Sequence, residues 1–95
     1  MVLTMSLATE FLLTHRLWSL ERGHLTRTYV FVGFADAIAF INRLAALAER
    51  AQHHPDVDLR FNRVKVMLIT HDRGHSVTEL DTSLALQLDI AAREA

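Results

Sequence analysis

Leu25-Thr-Arg-Thr-Tyr-Val-Phe-Val32, then Gly33, then Phe34-Ala-Asp-Ala-Ile-Ala-Phe-Ile-Asn-Arg-Leu-Ala-Ala-Leu-Ala-Glu-Arg-Ala-Gln52-His53-His54-Pro55 changes its period in the middle. Up to Val32 the residues are β-branched and aromatic, which suits a pleated, half-buried strand. After Gly33, Ile38, Ile41, Ala45 and Ala48 recur at spacings of three and four, the signature of one helix face. Pro55 is the only proline of the chain. It pushes the residue before it out of the α region. The helix is therefore expected to end near His53 and His54, where both imidazoles leave the helix together.

Downstream, Val57, Leu59 and Phe61 alternate with Asp58, Arg60 and Asn62. That is the pattern of a half-buried strand, with Phe61 read as a core aromatic. A tight turn near Asn62-Arg63 leads to a further strand over Val64 to Thr70. Asp72 to Ser76 form a loop. A last helix is expected from about Val77 to Ala92, with Ser76 or Thr78 as N-cap and Glu79 and Asp81 in its first turn. Upstream, Leu7, Phe11 and Leu12 suggest a weak helix over Ser6 to Thr14. Leu17 to Arg22 reads as a short strand, and Gly23 supplies the turn into Leu25. The order is αββαββα. It predicts an α+β fold: one domain over residues 1–95, a four-stranded antiparallel sheet, and three helices packed on one face.

Hydrophobic residues make up 51% of the chain and charged residues 22%, so it has the means to bury a core. A formal charge of −1 argues against nucleic acid or an anionic membrane surface as partner. The absence of cysteine excludes disulfides and thiolate metal sites. Tyr29 to Ile41, the longest mostly apolar stretch, contains Asp36 and is too short to span a bilayer. Met1 to Glu10 lacks the basic start of a signal peptide, which makes the cytoplasm the expected location. Ninety-five residues are only modestly stable alone. Ala35, Ala39, Phe40, Ala46 and Leu47 spread apolar surface beyond the main stripe of the long helix. A second copy of the chain is the expected cover, giving a dimer or a tetramer.

Of the six histidines, His53, His54 and His71 are the candidates for chemistry, because imidazole gives and takes protons near neutral pH. The alternatives are a polar helix end for the pair, where histidine suits the dipole and caps carbonyls, and an edge histidine without a task for His71. His71 stands where an apolar strand runs into a loop, a common place for site residues. Glu49 lies one helical turn before His53 and is placed to accept a hydrogen bond from that imidazole; the alternative is a solvated carboxylate. Asp81 either orients a histidine or the loop, or simply favours the helix N-terminus. His15 and His24 read as surface residues. His71 and His75 have the i, i+4 spacing of metal ligands. That spacing works on a helix, and Gly74 argues against one there, so no metal is expected.

Glu49, His53-His54-Pro55, Phe61, His71 and Asp81 form a spaced pattern, accompanied by Asn62-Arg63 and Thr70-His71-Asp72. With Leu25 to Phe31 and Phe34 to Arg43, it resembles the pterin-4a-carbinolamine dehydratase family over roughly residues 16–90. The resemblance implies the same fold. It also implies a hydro-lyase that converts 4a-hydroxytetrahydropterin to quinonoid dihydropterin in tetrahydrobiopterin recycling, with no cofactor. Carried over by position, His53, His54, Pro55, Thr70, His71, Asp72 and Arg73 would line the pterin site. His53 and His71 would share the acid and base roles, His54 would position the pterin, and Glu49 and Asp81 would support them. A further partner would be an aromatic amino acid hydroxylase or a regulatory protein. The family also includes a dimerisation cofactor of a homeodomain transcription factor, so a non-catalytic coactivator or assembly module is the alternative. Two stretches depart from the family pattern. Gly74-His75-Ser76-Val77-Thr78 stands where the family reads more like Gly-Gly-Leu-Thr, and is expected to border the pterin pocket. Thr14-His15-Arg16 stands where the family tends to have Pro-Gly before Trp18.

Overall fold

Two hairpins and one helical crossover organise the sheet. The computed structural model describes residues 6–94; the reading of Met1 to Met5 lies outside them. Helix α1 spans Leu7–Thr14, followed by strands β1 (Ser19–Glu21) and β2 (His24–Val30). Helix α2 spans Phe34–Ala51, then come β3 (Asp56–Arg60), β4 (Arg63–Leu68), a 3₁₀ turn at His71–Arg73, and helix α3 (Glu79–Arg93). Arg22 and Gly23 join β1 to β2, both at positive φ (51° and 79°), as a tight two-residue hairpin requires. Phe61 and Asn62 join β3 to β4, with Phe61 at φ 52°. The strand order is β1-β2-β4-β3, and every neighbouring pair is antiparallel. The expected α+β architecture and element order are found.

Register decides which side chains face the helices. Leu25 pairs with Leu68, and Tyr29 with Val64, and all four are buried. Between them Arg27 pairs with Val66, and Val66 pairs with Val57 on the other side. The alternate residues Thr28, Asp58, Arg63 and Lys65 fall on the opposite, polar face of the sheet. Helix α3 packs against both α1 and α2 above the apolar face. No helix among the described residues is long and apolar enough to cross a membrane.

The phase of α2 differs from its sequence reading. Ala37, Phe40, Leu44 and Ala48 are its buried residues, whereas Ile38 and Ile41 are half-buried and Ala45 is exposed. Phe40, read as surplus apolar surface, is fully buried, with its ring 4.7 Å from Tyr29 and 5.2 Å from Phe31. An aromatic ring gains the most from burial, about 1.5–3 kcal/mol, so it turns the helix to suit itself. Leu47 remains half-buried and Ala46 exposed on the outer side. Phe61 is also corrected: it is 68% exposed at the hairpin tip and not in the core. His15, read as a surface residue, is half-buried and stacks on Phe11 at 4.0 Å.

Asp89 ties the first hairpin to α3. Its carboxylate accepts bonds from Trp18 Nε1 (3.1 Å), Arg27 Nη1 (2.7 Å) and the Tyr29 hydroxyl (2.6 Å). Burial and the adjacent Asp89 carboxylate push the Tyr29 phenol well above the ordinary tyrosine range.

Candidate functional site

The site begins where α2 stops. Gln52 caps the helix in the left-handed conformation at φ 51°, and the His53 N–H donates to the Ala48 carbonyl at 3.1 Å. This reversal sends the two histidines in different directions. His53 turns inward and is buried, while the His54 side chain is 60% exposed.

His53 Nε2 lies 2.5 Å from Asp81 Oδ1. Asp81 is fully buried, and a buried carboxylate needs partners for its lone pairs. Its Oδ2 accepts from the Thr70 hydroxyl and from the Thr78 backbone N–H, each at 2.8 Å. The Thr78 hydroxyl donates in turn to Thr70 Oγ1 at 2.7 Å and accepts from the Leu80 N–H. One carboxylate thus joins the end of α2, the chain beyond β4 and the start of α3. An ionised carboxylate only accepts, so the His53 proton sits on Nε2. The other ring nitrogen, Nδ1, has no hydrogen-bond partner among the described residues.

Asp81 therefore does both things considered for it: it completes the capping box of α3 with Thr78 and it orients a histidine. Glu49 is corrected. It accepts a hydrogen bond from His54 Nε2 and not from His53. The left-handed Gln52 breaks the helical spacing, so the residue one turn ahead is no longer reached.

His53, His54, Thr70, His71 and Asp72 line one open depression of about 280 Å³, together with Gln52 and Ile69. The three histidines singled out in the sequence thus meet from two distant segments. The Thr70 hydroxyl is engaged with Asp81 and Thr78. Pro55, Arg73 and the Gly74 to Thr78 loop are not among the lining residues. The loop adjoins the depression through backbone bonds to Thr70 and His71, and one of its side chains meets a lining imidazole: His75 Nδ1 lies 3.0 Å from His71 Nδ1.

Gln52, Ile69 and Thr78 were not anticipated in these roles. Thr78-x-x-Asp81 is a capping-box spacing, which is the sequence signal that finds the last of them. A larger depression of about 470 Å³ lies beside Arg27, Tyr29 and Asp89, away from the histidines. Within it the Arg27, Tyr29 and Asp89 side chains bond to one another. Chemically, the smaller site offers three imidazoles around one space, one of them held in a fixed tautomer by a buried carboxylate. That is equipment for proton transfer.

The family described as pterin 4 alpha carbinolamine dehydratase matches residues 2–91 of the chain. A protein of Thermomicrobium roseum named "Putative pterin-4-alpha-carbinolamine dehydratase" is 51% identical over 71 residues, covering 75% of each chain. A protein of the same name from Chloroflexus aggregans is 48% identical over 82 residues, covering 85% of this chain and 86% of its own. The crystal structure of a transcriptional coactivator/pterin dehydratase from Brucella melitensis aligns with a TM-score of 0.86 at 35% identity, over 95% of this chain and 97% of that one. A pterin dehydratase-like protein identified as a RuBisCO assembly factor in the alpha-carboxysome shares the fold, with a TM-score of 0.65 at 24% identity over 79% of this chain and 86% of its own. With the family match spanning nearly all of it and relatives near half identical, this chain belongs to the pterin-4a-carbinolamine dehydratase family.

Proposed function

We propose that the protein dehydrates a 4a-hydroxytetrahydropterin to the quinonoid dihydropterin, as a step of tetrahydrobiopterin recycling in the cytoplasm. The observation that carries this reading is the meeting of His53, His54 and His71 around one depression, with His53 anchored on buried Asp81. The reaction breaks the C4a–O bond and forms the C4a–N5 double bond. The departing hydroxyl takes up a proton and leaves as water, and N5 gives up its proton. Neutral His53, with Nε2–H on Asp81, presents Nδ1 as the base for the N5 proton. The Asp81 carboxylate then stabilises the imidazolium that forms. His71, as imidazolium, delivers the proton to the leaving hydroxyl. It is exposed to water and regains its proton there, and His53 returns the N5 proton to water that enters the open depression once product leaves. His54 positions the pterin, held by Glu49. Acid–base groups so placed contribute on the order of 10²–10⁴-fold in rate.

An aromatic amino acid hydroxylase is the source of substrate this reaction requires. A homo-oligomer is part of the same reading. The groove between α2 and α3, lined by Ala46, Leu47, Ile90 and Ala91, is where a second copy would pack. That groove equally suits a regulatory partner, the non-catalytic alternative, and one structural relative is described as a transcriptional coactivator/pterin dehydratase. Purified protein added to a freshly generated 4a-hydroxytetrahydropterin distinguishes the two. Acceleration over spontaneous dehydration supports the enzyme, and an unchanged rate leaves partner binding as the function.

A further inference from the structure

His71 has a companion at the depression. The Nδ1 atoms of His71 and His75 lie 3.0 Å apart, with the rings edge to face at 81°. The loop is shaped to make this contact. After the turn at His71–Arg73, Gly74 and His75 both take positive φ, 71° and 52°. A residue other than glycine enters that region only against steric resistance. The loop is closed below by backbone bonds between Thr70 and Ser76 and by the His75 N–H to the His71 carbonyl. This is also the stretch where the sequence departs from the family pattern.

Two imidazole nitrogens at this distance need one proton between them, so one donates and the other accepts. Only one of the two arrangements survives a proton-transfer cycle. If His71 Nδ1 accepted, its Nε2 would already carry the ring proton, and a second proton would have to break the bond. If His71 Nδ1–H donates to His75, Nε2 gains and loses a proton while the bond persists. We propose that His75 is a positioning residue for His71: it accepts the Nδ1–H bond, fixes the tautomer, and leaves Nε2 as the exchanging atom. It serves His71 as Asp81 serves His53. His75 does not line the depression, so it acts through His71 and not on the substrate. The catalytic part of this inference rests on the acid–base role proposed for His71.

Nitrogen-15 NMR of the histidine side chains in the full-length protein tests it, recorded at about pH 8.5, where free imidazole is neutral. His71 should read as the Nδ1–H tautomer, whereas free histidine favours Nε2–H. His75→Phe should return His71 to the free-histidine pattern. His75→Asn, whose side-chain oxygen can accept in nearly the same place, should restore Nδ1–H. In turnover, His75→Phe should lower kcat on the order of tenfold, as loss of a ligand-orienting partner does, with little change in KM. His75→Asn should recover most of it. An Nε2–H tautomer on His71 in the parent, or one unmoved by His75→Phe, overturns the proposal whatever happens to the rate. If the tautomer shifts as described but the parent does not turn over the carbinolamine, the positioning contact stands and the dehydratase reading fails.

Discussion

His53 Nε2 and Asp81 Oδ1, 28 residues apart in sequence, meet at 2.5 Å and close α2 onto the start of α3. The contact belongs to fold and site at once, so its removal should register in both. Asp81→Ala leaves the His53 ring N–H, the Thr70 hydroxyl and the Thr78 N–H without their acceptor. Leaving a buried donor without its acceptor costs roughly 1–3 kcal/mol for each donor. Urea unfolding should show a loss of that size, and a loss below about 1 kcal/mol would mean that the pair is as weak as a surface contact.

The contact between His54 and Glu49 is the opposite case. Both side chains are well exposed, at 60% and 71%. Glu49→Ala should change stability by no more than about 0.5 kcal/mol. Since Glu49 holds the histidine proposed to position the pterin, KM for the carbinolamine should rise while kcat changes little. A fall in kcat at constant KM would assign His54 a proton-transfer role instead.

Tyr29 is the only tyrosine of the chain, so its ionisation can be followed alone. Burial and the Asp89 carboxylate raise its pKa in the folded state. A group raised on folding contributes stability that is intact below its unfolded value, about 10 for tyrosine, and is lost as pH rises through the folded value. Tyrosinate absorbance should therefore be absent at pH values where free tyrosine is half ionised. The unfolding free energy should decline as pH climbs past about 10, and Tyr29→Phe should flatten that decline. Ionisation at the ordinary tyrosine value in folded protein would show that the hydroxyl is not held by Asp89.

The two apolar residues of α2 once read together should behave differently. Phe40→Ala removes a fully buried ring and should cost about 3–5 kcal/mol of stability. Leu47→Asp changes a half-buried residue at the α2–α3 groove and should leave the monomer folded while dissociating the homo-oligomer proposed above, so that the parent scatters as an oligomer and the variant as a monomer. Light scattering on the two variants checks both statements. A parental mass for Leu47→Asp would remove this groove from the interface.

Much of this fold was legible because the chain changes period at Gly33 and stops its long helix before Pro55. The start of α3 was legible to within about two residues: Ser76 or Thr78 was expected as its N-cap, and Thr78 is the one that caps it. The phase of α2 was not legible. Ile38 and Ile41 are as apolar as Phe40, and only the rings of Tyr29 and Phe31, distant in sequence until the sheet forms, decide among them. The exchange of Glu49 from His53 to His54 follows from the left-handed Gln52, a residue type that does not advertise that conformation. His75 meeting His71 has the same origin. The gathering of Trp18, Arg27 and Tyr29 on Asp89 spans 60 to 71 residues, and no local pattern encodes it.

The most direct measurement is the initial rate of 4a-hydroxytetrahydropterin dehydration by the parent and by the His53→Ala, His54→Ala double variant, with circular dichroism on both. The double variant should stay folded and add nothing to the spontaneous rate, while the parent accelerates it. A folded double variant that works at the parental rate would contradict the assignment of proton transfer to this site.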